Sequence, residues 1–238
     1  MKIAIIGVGL IGGSMALKLK EKAWASHILG IDSNEHHLRE AQELGIIDEI
    51  SSLENGVQKA HFIIIAIPVD AARKILPTVL DLMNEEQTVI DVGSTKAGIT
   101  AAIKNHSRRH RYVATHPMWG TENSGPKSAI RDSFKGRAAV ICDEEKSAQD
   151  ALELTEKMYR TLEMNLLYMA AADHDIHTAY ISHISHITSY ALANTVLEKE
   201  KEEDTIFFFF FSGFSSTVRL AKSHPEMWVP IFKQNKEN

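Results

Sequence analysis

Gly7-Val8-Gly9-Leu10-Ile11-Gly12 is the stretch whose reading decides the fold. It fits G-x-G-x-x-G, a string that carries weight only between a strand and a helix. That context is present, because the apolar run Lys2–Ile6 precedes it and residues 12–22 follow with a helical period. In such a turn the first glycine permits the tight bend and the second lets the backbone approach a pyrophosphate. The third lets the helix pack closely on the strand. The free N–H groups and positive dipole end of the helix then face the phosphates. Gly7, Gly9, Leu10, Ile11 and Gly12 are therefore candidate cofactor-binding residues.

Working outward, strand-length apolar runs recur at 27–31, 61–67, 88–92, 112–115 and 138–142. Several are nearly continuous Ile, Val and Ala, as parallel strands covered on both faces require. Helical stretches such as 35–44 and 71–83 separate them. The alternation predicts an α/β fold, a Rossmann-type doubly wound parallel sheet. From 171 to about 199 the strand signal disappears. Ile176, Tyr180, Ile184, Ile187 and Ala191 recur at spacings of three and four, one apolar helix stripe. Asp175, Ser182, His186 and Ser189, at offsets of 7, 11 and 14 residues, share a face opposite much of that stripe and look toward a cleft. The reading is a dinucleotide-binding domain over 1–168 and an all-α C-terminal domain over 169–238. Ile206 to Phe211, with five consecutive phenylalanines, reads as a buried segment, part of a subunit interface or a sequence error.

The second strand ends at Ile31-Asp32, and Asp32 lies 20 residues after Gly12. An acidic side chain there accepts from the adenosine ribose hydroxyls and repels a 2′-phosphate, which favours NAD over NADP. The alternative for Asp32 is a helix N-cap or turn, and the spacing favours the cofactor role. Pro68 stands where the third strand runs out at the cofactor edge; it reads equally as a cofactor contact or a plain strand-to-helix turn.

A formal net charge of −5 lays out no basic field for nucleic acid. The cluster Arg108, Arg109, His110 and Arg111 is read as a solvated face. A single cysteine, Cys142, excludes an intramolecular disulfide and fits a reducing, cytoplasmic compartment. It reads as a buried core thiol. No apolar run reaches the roughly 18 residues that span a bilayer. Ala23-Trp24-Ala25 imitates a signal-peptide cleavage site, but Lys18, Lys20, Glu21 and Lys22 separate it from an apolar run already interrupted by glycines.

Two segments fall after the fourth and fifth strands: Asp91-Val92-Gly93-Ser94-Thr95-Lys96 and His116-Pro117-Met118-Trp119-Gly120-Thr121-Glu122. Open α/β sheets put their ligands at that edge. Ser94 alone is equally a helix N-cap, and His116 alone is equally a loop histidine. Together they suggest a hydroxyl and an imidazole facing one substrate. His174, His177, His183 and His186 include pairs at metal-ligand spacing, but no HExxH string is present and no metal is expected.

"GVGLIGGS" at 7–14, "DVGSTK" at 91–96, "HPMWGTENSG" at 116–125, "DHDIHTAYISHISH" at 173–186 and "TVRLAKSHPEMW" at 217–228 stand in an order that resembles the prephenate dehydrogenase family. The resemblance implies NAD-dependent oxidative decarboxylation of prephenate to 4-hydroxyphenylpyruvate in tyrosine biosynthesis, with a homodimer as the working form. It implies that His116 binds the ring hydroxyl and takes its proton, and that Ser94 orients this histidine and the hydroxyl. Glu122, His186 and Asp175 match family residues around the substrate, and Arg219 matches the arginine for a substrate carboxylate. The family's glycine-rich stretch before that arginine is reduced here to Gly213, and its basic residue four positions earlier is Ser215. The helical part is expected to be shortened at Asn238, and no mutase or regulatory domain is expected within residues 1–238. Three other readings compete. Arogenate or cyclohexadienyl dehydrogenase shares the fold. A β-hydroxyacid or 6-phosphogluconate-type dehydrogenase needs a helical-domain lysine, which 171–194 lacks. A non-catalytic NAD-binding regulator would bind without turnover.

Overall fold

The computed structural model describes residues 1–200 and 212–238, so the phenylalanine run lies outside the described residues. The strands are β1 (Lys2–Ile6), β2 (His27–Ile31), β3 (Glu49–Ile50), β4 (Phe62–Ile65), β5 (Thr88–Asp91), β6 (Tyr112–Pro117), β7 (Ala138–Cys142) and β8 (Asn165–Met169). They form one sheet in the order β3-β2-β1-β4-β5-β6-β7-β8. Neighbours are parallel except β6 and β7. The order reverses between β1 and β4, the switch point at which doubly wound sheets open a crevice. Helices α1 (Leu10–Glu21), α2 (Glu35–Glu43), α3 (Leu53–Lys59), α4 (Val69–Leu82), α5 (Ala97–Ala102) and α6 (Gln149–Thr161) lie between the strands.

Strand alternation explains why the apolar runs are continuous. Ile3 and Ile5 join Met15, Leu19, Phe62, Ile64 and Tyr159 in a core on one face. Ala4 and Ile6 join Ile63, Ile65, Leu76, Val79 and Leu80 on the other. Each run thus feeds two cores at once, with successive side chains on opposite faces. Two strands escaped the sequence reading. β3 has only two residues, and β8 is an edge strand with Leu167 and Tyr168 exposed, so neither shows a buried apolar run. β6 also runs two residues past the expected 115, which places His116 in the strand, opposite Val140 of β7, rather than in a loop.

The basic cluster is not a solvated face. Arg109 and Arg111 are buried. Arg111 grips both carboxylate oxygens of Asp150 at 2.8 Å and donates to the Gln87 carbonyl. Arg109 donates to the Tyr112 carbonyl at 2.8 Å. Cys142 is fully buried, and burial pushes its thiol up to about 12.

After β8 the chain turns helical: α7 (Ala171–Thr178), a π-helical segment (Ala179–His183), α8 (Ile184–Glu200), α9 (Ser212–Thr217), a 3₁₀ segment (Val218–Lys222) and α10 (Pro225–Gln234). The apolar stripe faces outward: Ile176, Tyr180, Ile184 and Ile187 are 41%, 68%, 52% and 48% exposed. Asp175 and Ser189, on the polar face, are buried instead. α10 returns to the sheet and adds Trp228 and Ile231 to the core beside α4. No helix among the described residues is long and apolar enough to cross a membrane.

Candidate active site

β1, β2, β4, β5 and β6 run parallel, so their C-terminal ends share one edge. Gly7, Asp32, Pro68, Ser94 and His116 stand along it. Gly7 has φ +95°, and a Cβ there would come within 2.4 Å of the Ala66 carbonyl oxygen. A Cβ on Gly12 would lie 2.1 Å from the Gly7 carbonyl oxygen. Those two glycines are demanded by the chain itself. Gly9 differs, because a Cβ there would meet nothing nearer than the Gly125 amide nitrogen at 4.0 Å. The space over Gly9 is open, at the N-terminus of a 12-residue helix that has no side-chain cap. The first amides of that helix, from Leu10 onward, have no intrahelical acceptor. Open space beside free N–H donors fits a pyrophosphate.

Asp32 is not the N-cap of α2; Asn34 is, accepting from the His36 and His37 amides. Asp32 instead ties the glycine turn to β2, with Oδ2 accepting from the Val8 amide at 3.1 Å and Oδ1 from the Asn34 amide at 2.9 Å. It is partly exposed at the strand end, where a ribose would reach it. Pro68 is exposed and caps α4 without a side-chain hydrogen bond.

His116 is half-buried. Its Nδ1 lies 2.9 Å from His174 Nε2, and His174 Nδ1 lies 2.8 Å from Asp175 Oδ1. Asp175 also accepts from the Lys96 amide (2.7 Å, Oδ1) and the Ala97 amide (2.9 Å, Oδ2), which fastens α7 to the start of α5. Beneath the histidine, the buried Lys96 ammonium is held by Asp91 and by the Thr115 carbonyl at 2.7 Å. Tyr112 donates to the other Asp91 oxygen at 2.6 Å. Burial, reinforced by His174, Lys96 and His183, holds His116 well below the ordinary histidine value. The ring is thus neutral and able to accept a proton. Ser94 stands half-exposed at the same edge but makes no hydrogen bond to His116; the ring is held by His174.

A second group forms the rim. His183 is buried beside Asn235, whose Nδ2 bridges the Asp175 carbonyl (2.8 Å) and His183 Nδ1 (3.0 Å). Burial pushes His183 down to about 4. Trp228 connects this cluster outward. It lies edge-on to His183 and stacks on His186 with ring centres 3.5 Å apart. His186 Nδ1 donates to the Ser182 carbonyl at 3.0 Å, which leaves Nε2 for a ligand. Burial, then the nearby Arg219, lowers His186 below its ordinary value. Arg219 Nη1 stands 3.9 Å from Glu122 Oε2, both partly exposed. The structure therefore brings His116 together with Asp175, and His186 together with Arg219 and Glu122.

Sequence reasoning weighed His174 and His183 only as metal ligands and assigned no role to Lys96 or Asn235. The adjacent pair His174-Asp175 and the pair Asp91 and Lys96 carried a local signal. The Lys96 ammonium contacts lie 5 and 19 positions away, and the remaining contacts join residues 52 to 79 positions apart.

Comparisons with known proteins place the fold in a family. A family model described as prephenate dehydrogenase, nucleotide-binding domain, matches residues 15–167, and one described as prephenate dehydrogenase, dimerization domain, matches residues 170–238. Prephenate dehydrogenase of Bacillus subtilis (strain 168) is 32% identical over 238 residues, which are 99% of this chain and 64% of that relative. The chain thus spans less than two thirds of that relative's length. The crystal structure of prephenate dehydrogenase from A. aeolicus in complex with hydroxyphenyl propionate and NAD+ aligns at TM-score 0.92 and 30% identity, covering 100% of this chain and 83% of that one. Synechocystis arogenate dehydrogenase aligns at TM-score 0.78 and 26% identity over 100% of this chain and 84% of that one. With both of its halves matched in sequence and the whole of it matched in fold, the chain belongs to the prephenate dehydrogenase family.

Proposed function

We propose that this chain oxidatively decarboxylates prephenate to 4-hydroxyphenylpyruvate with NAD as the oxidant. The observation that carries the reading is a neutral histidine, His116, held from one side by His174 at the sheet edge that also holds the open glycine turn. Two relatives support it: the B. subtilis prephenate dehydrogenase and the A. aeolicus structure that contains hydroxyphenyl propionate and NAD+.

Bound NAD would supply the hydride acceptor. The residues suited to hold it are Gly7 to Gly12, Asp32, Pro68 and Ser94. His116 Nε2 accepts the ring hydroxyl proton as hydride leaves the same carbon. The electron pair of the ring–carboxylate bond then enters the ring as CO2 departs. The proton returns from His116 to the phenolic oxygen, so the reaction needs no net proton from solvent. Aromatisation supplies driving force, which leaves the protein chiefly to position and desolvate. Arg219, with its planar donor fork, suits a substrate carboxylate. Glu122, His186 and Asp175 complete the substrate-side set, Asp175 through its hold on His174.

Glu122 favours a second reading. Its partly exposed carboxylate beside Arg219 is suited to the ammonium group that distinguishes arogenate from prephenate. The deciding assay follows NADH absorbance with NAD and prephenate, and with arogenate in parallel. A rise with prephenate supports the first reading. A rise with arogenate alone transfers the assignment to the second. No rise with either, alongside measurable NAD binding, overturns both.

We further infer that the working unit is a homodimer, built through the outward apolar stripe of α7 and α8. That stripe lies within the residues matched by the dimerization-domain model.

A further inference from the structure

We infer that His174 is a positioning residue that fixes the tautomer of His116, presenting an unprotonated Nε2 to the substrate. The inference rests on His116 being the base proposed above, and it follows from the polarity of one hydrogen-bond chain. Asp175 is buried, and its two oxygens already accept the Lys96 and Ala97 amides. Toward His174 Nδ1, 2.8 Å away, that carboxylate is an acceptor, so Nδ1 carries the hydrogen. A neutral imidazole has one donor and one acceptor nitrogen. In the neutral form of His174, Nε2 is therefore the acceptor, and its only partner among the described residues is His116 Nδ1 at 2.9 Å. His116 must donate from Nδ1, which leaves the lone pair on Nε2. The two rings meet edge-on with centres 5.1 Å apart, so His174 also fixes the plane of the His116 ring.

The surroundings hold this polarity in place. His174 is 1% exposed, so water cannot substitute for it. The Lys96 ammonium is engaged by Asp91 and the Thr115 carbonyl. His183 Nδ1 is occupied by Asn235. Which ring nitrogen of a histidine carries the proton is set by the hydrogen bond the other one makes. Here that bond comes from a second histidine, whose own tautomer is set by a carboxylate anchored on backbone amides.

Two amide variants separate tautomer control from simple support. A glutamine at 174 reaches the Nε2 position and keeps an acceptor for His116. An asparagine reaches the Nδ1 position, keeps the donor to Asp175 and leaves His116 Nδ1 without an acceptor. With NAD and the substrate identified above, His174→Gln is expected to keep kcat within about 10-fold. His174→Asn is expected to lose at least roughly 100-fold, with KM for NAD nearly unchanged in both. ¹⁵N NMR of histidine-labelled protein, with His116 assigned by comparison with His116→Asn, is expected to show the Nδ1–H tautomer in the wild type and in His174→Gln. A wild-type His116 protonated on Nε2, or a folded His174→Asn variant with undiminished kcat, overturns the inference. The wild-type tautomer measurement needs no turnover and no folded variant. It therefore decides the point even if the catalytic reading fails.

Discussion

At the scale of single residues, the proposed reaction turns on His116. A base within hydrogen-bond reach of its proton contributes about 10²–10⁴-fold to a rate. His116→Asn should lower kcat by that order and leave NAD affinity nearly unchanged, since the ring's hydrogen bond runs to His174 and not to the glycine turn; equilibrium titration of NAD beside steady-state kinetics checks both halves. A variant of comparable activity removes His116 from the mechanism. The direction of its pKa also fixes a sign. Only the neutral ring accepts a proton, and burial holds the pKa well below the ordinary 6.5. kcat/KM for the substrate should thus stay level as pH falls through 6.5 and decline only at lower pH. A profile already halved at 6.5 or above would contradict the environment described for this ring. The same residue shows where sequence reading stops. The imidazole and its place near a strand end were legible from "HPMWGTENSG". Its partner His174 was not, because their contact joins residues 58 positions apart and leaves no periodic trace.

At the scale of elements, legibility followed burial pattern. β1, β2 and β7 were found with their observed limits, since each presents a continuous apolar run to two cores. β3 and β8, short or half-exposed, present none. The helix after β8 was legible as a helix, and so was the inward face of Asp175 and Ser189, but the inward turn of His183 was not. A straight α-helix from Asp175 puts Ser182 on the inner face, whereas the π-helical segment turns His183 inward as well, 4% exposed. A π segment inserts extra backbone without interrupting the apolar sequence pattern, and such segments are frequent at functional sites. The glycine turn gives a sharper test at this scale. Gly12→Ala places a Cβ 2.1 Å from the Gly7 carbonyl oxygen, whereas Gly9→Ala meets only the Gly125 amide nitrogen at 4.0 Å. Gly12→Ala should lower Tm by several degrees, and Gly9→Ala should hold Tm within about 2 °C while weakening NAD binding at least 10-fold. Calorimetry with NAD titration reads both. Equal loss of Tm in the two variants would mean that the space over Gly9 is structural rather than reserved for a ligand.

At the scale of the whole molecule, the helix over 171–200 is turned inside out relative to an ordinary surface helix, which buries its apolar stripe. Ile176, Tyr180, Ile184 and Ile187 face outward while Asp175 and Ser189 face the protein. A contiguous apolar face of this kind marks an association surface. Changing Tyr180 and Ile184 together to Asp should convert a dimer to monomer in sedimentation velocity, with little change in monomer Tm because neither side chain is buried. A wild type that sediments as a monomer at all accessible concentrations would remove the dimer from the account. The return of α10 to the sheet has a consequence for the order in which the protein is made. By the time residue 200 has left the ribosome, all eight strands and the His116–His174 pair have been synthesised. Yet Asp175 still lacks Asn235, Thr95 still lacks Gln234, and the face that receives Trp228 and Ile231 is bare. The nascent chain at that point therefore carries every strand of the sheet but lacks the contacts that α10 makes to Asp175, Thr95 and the core.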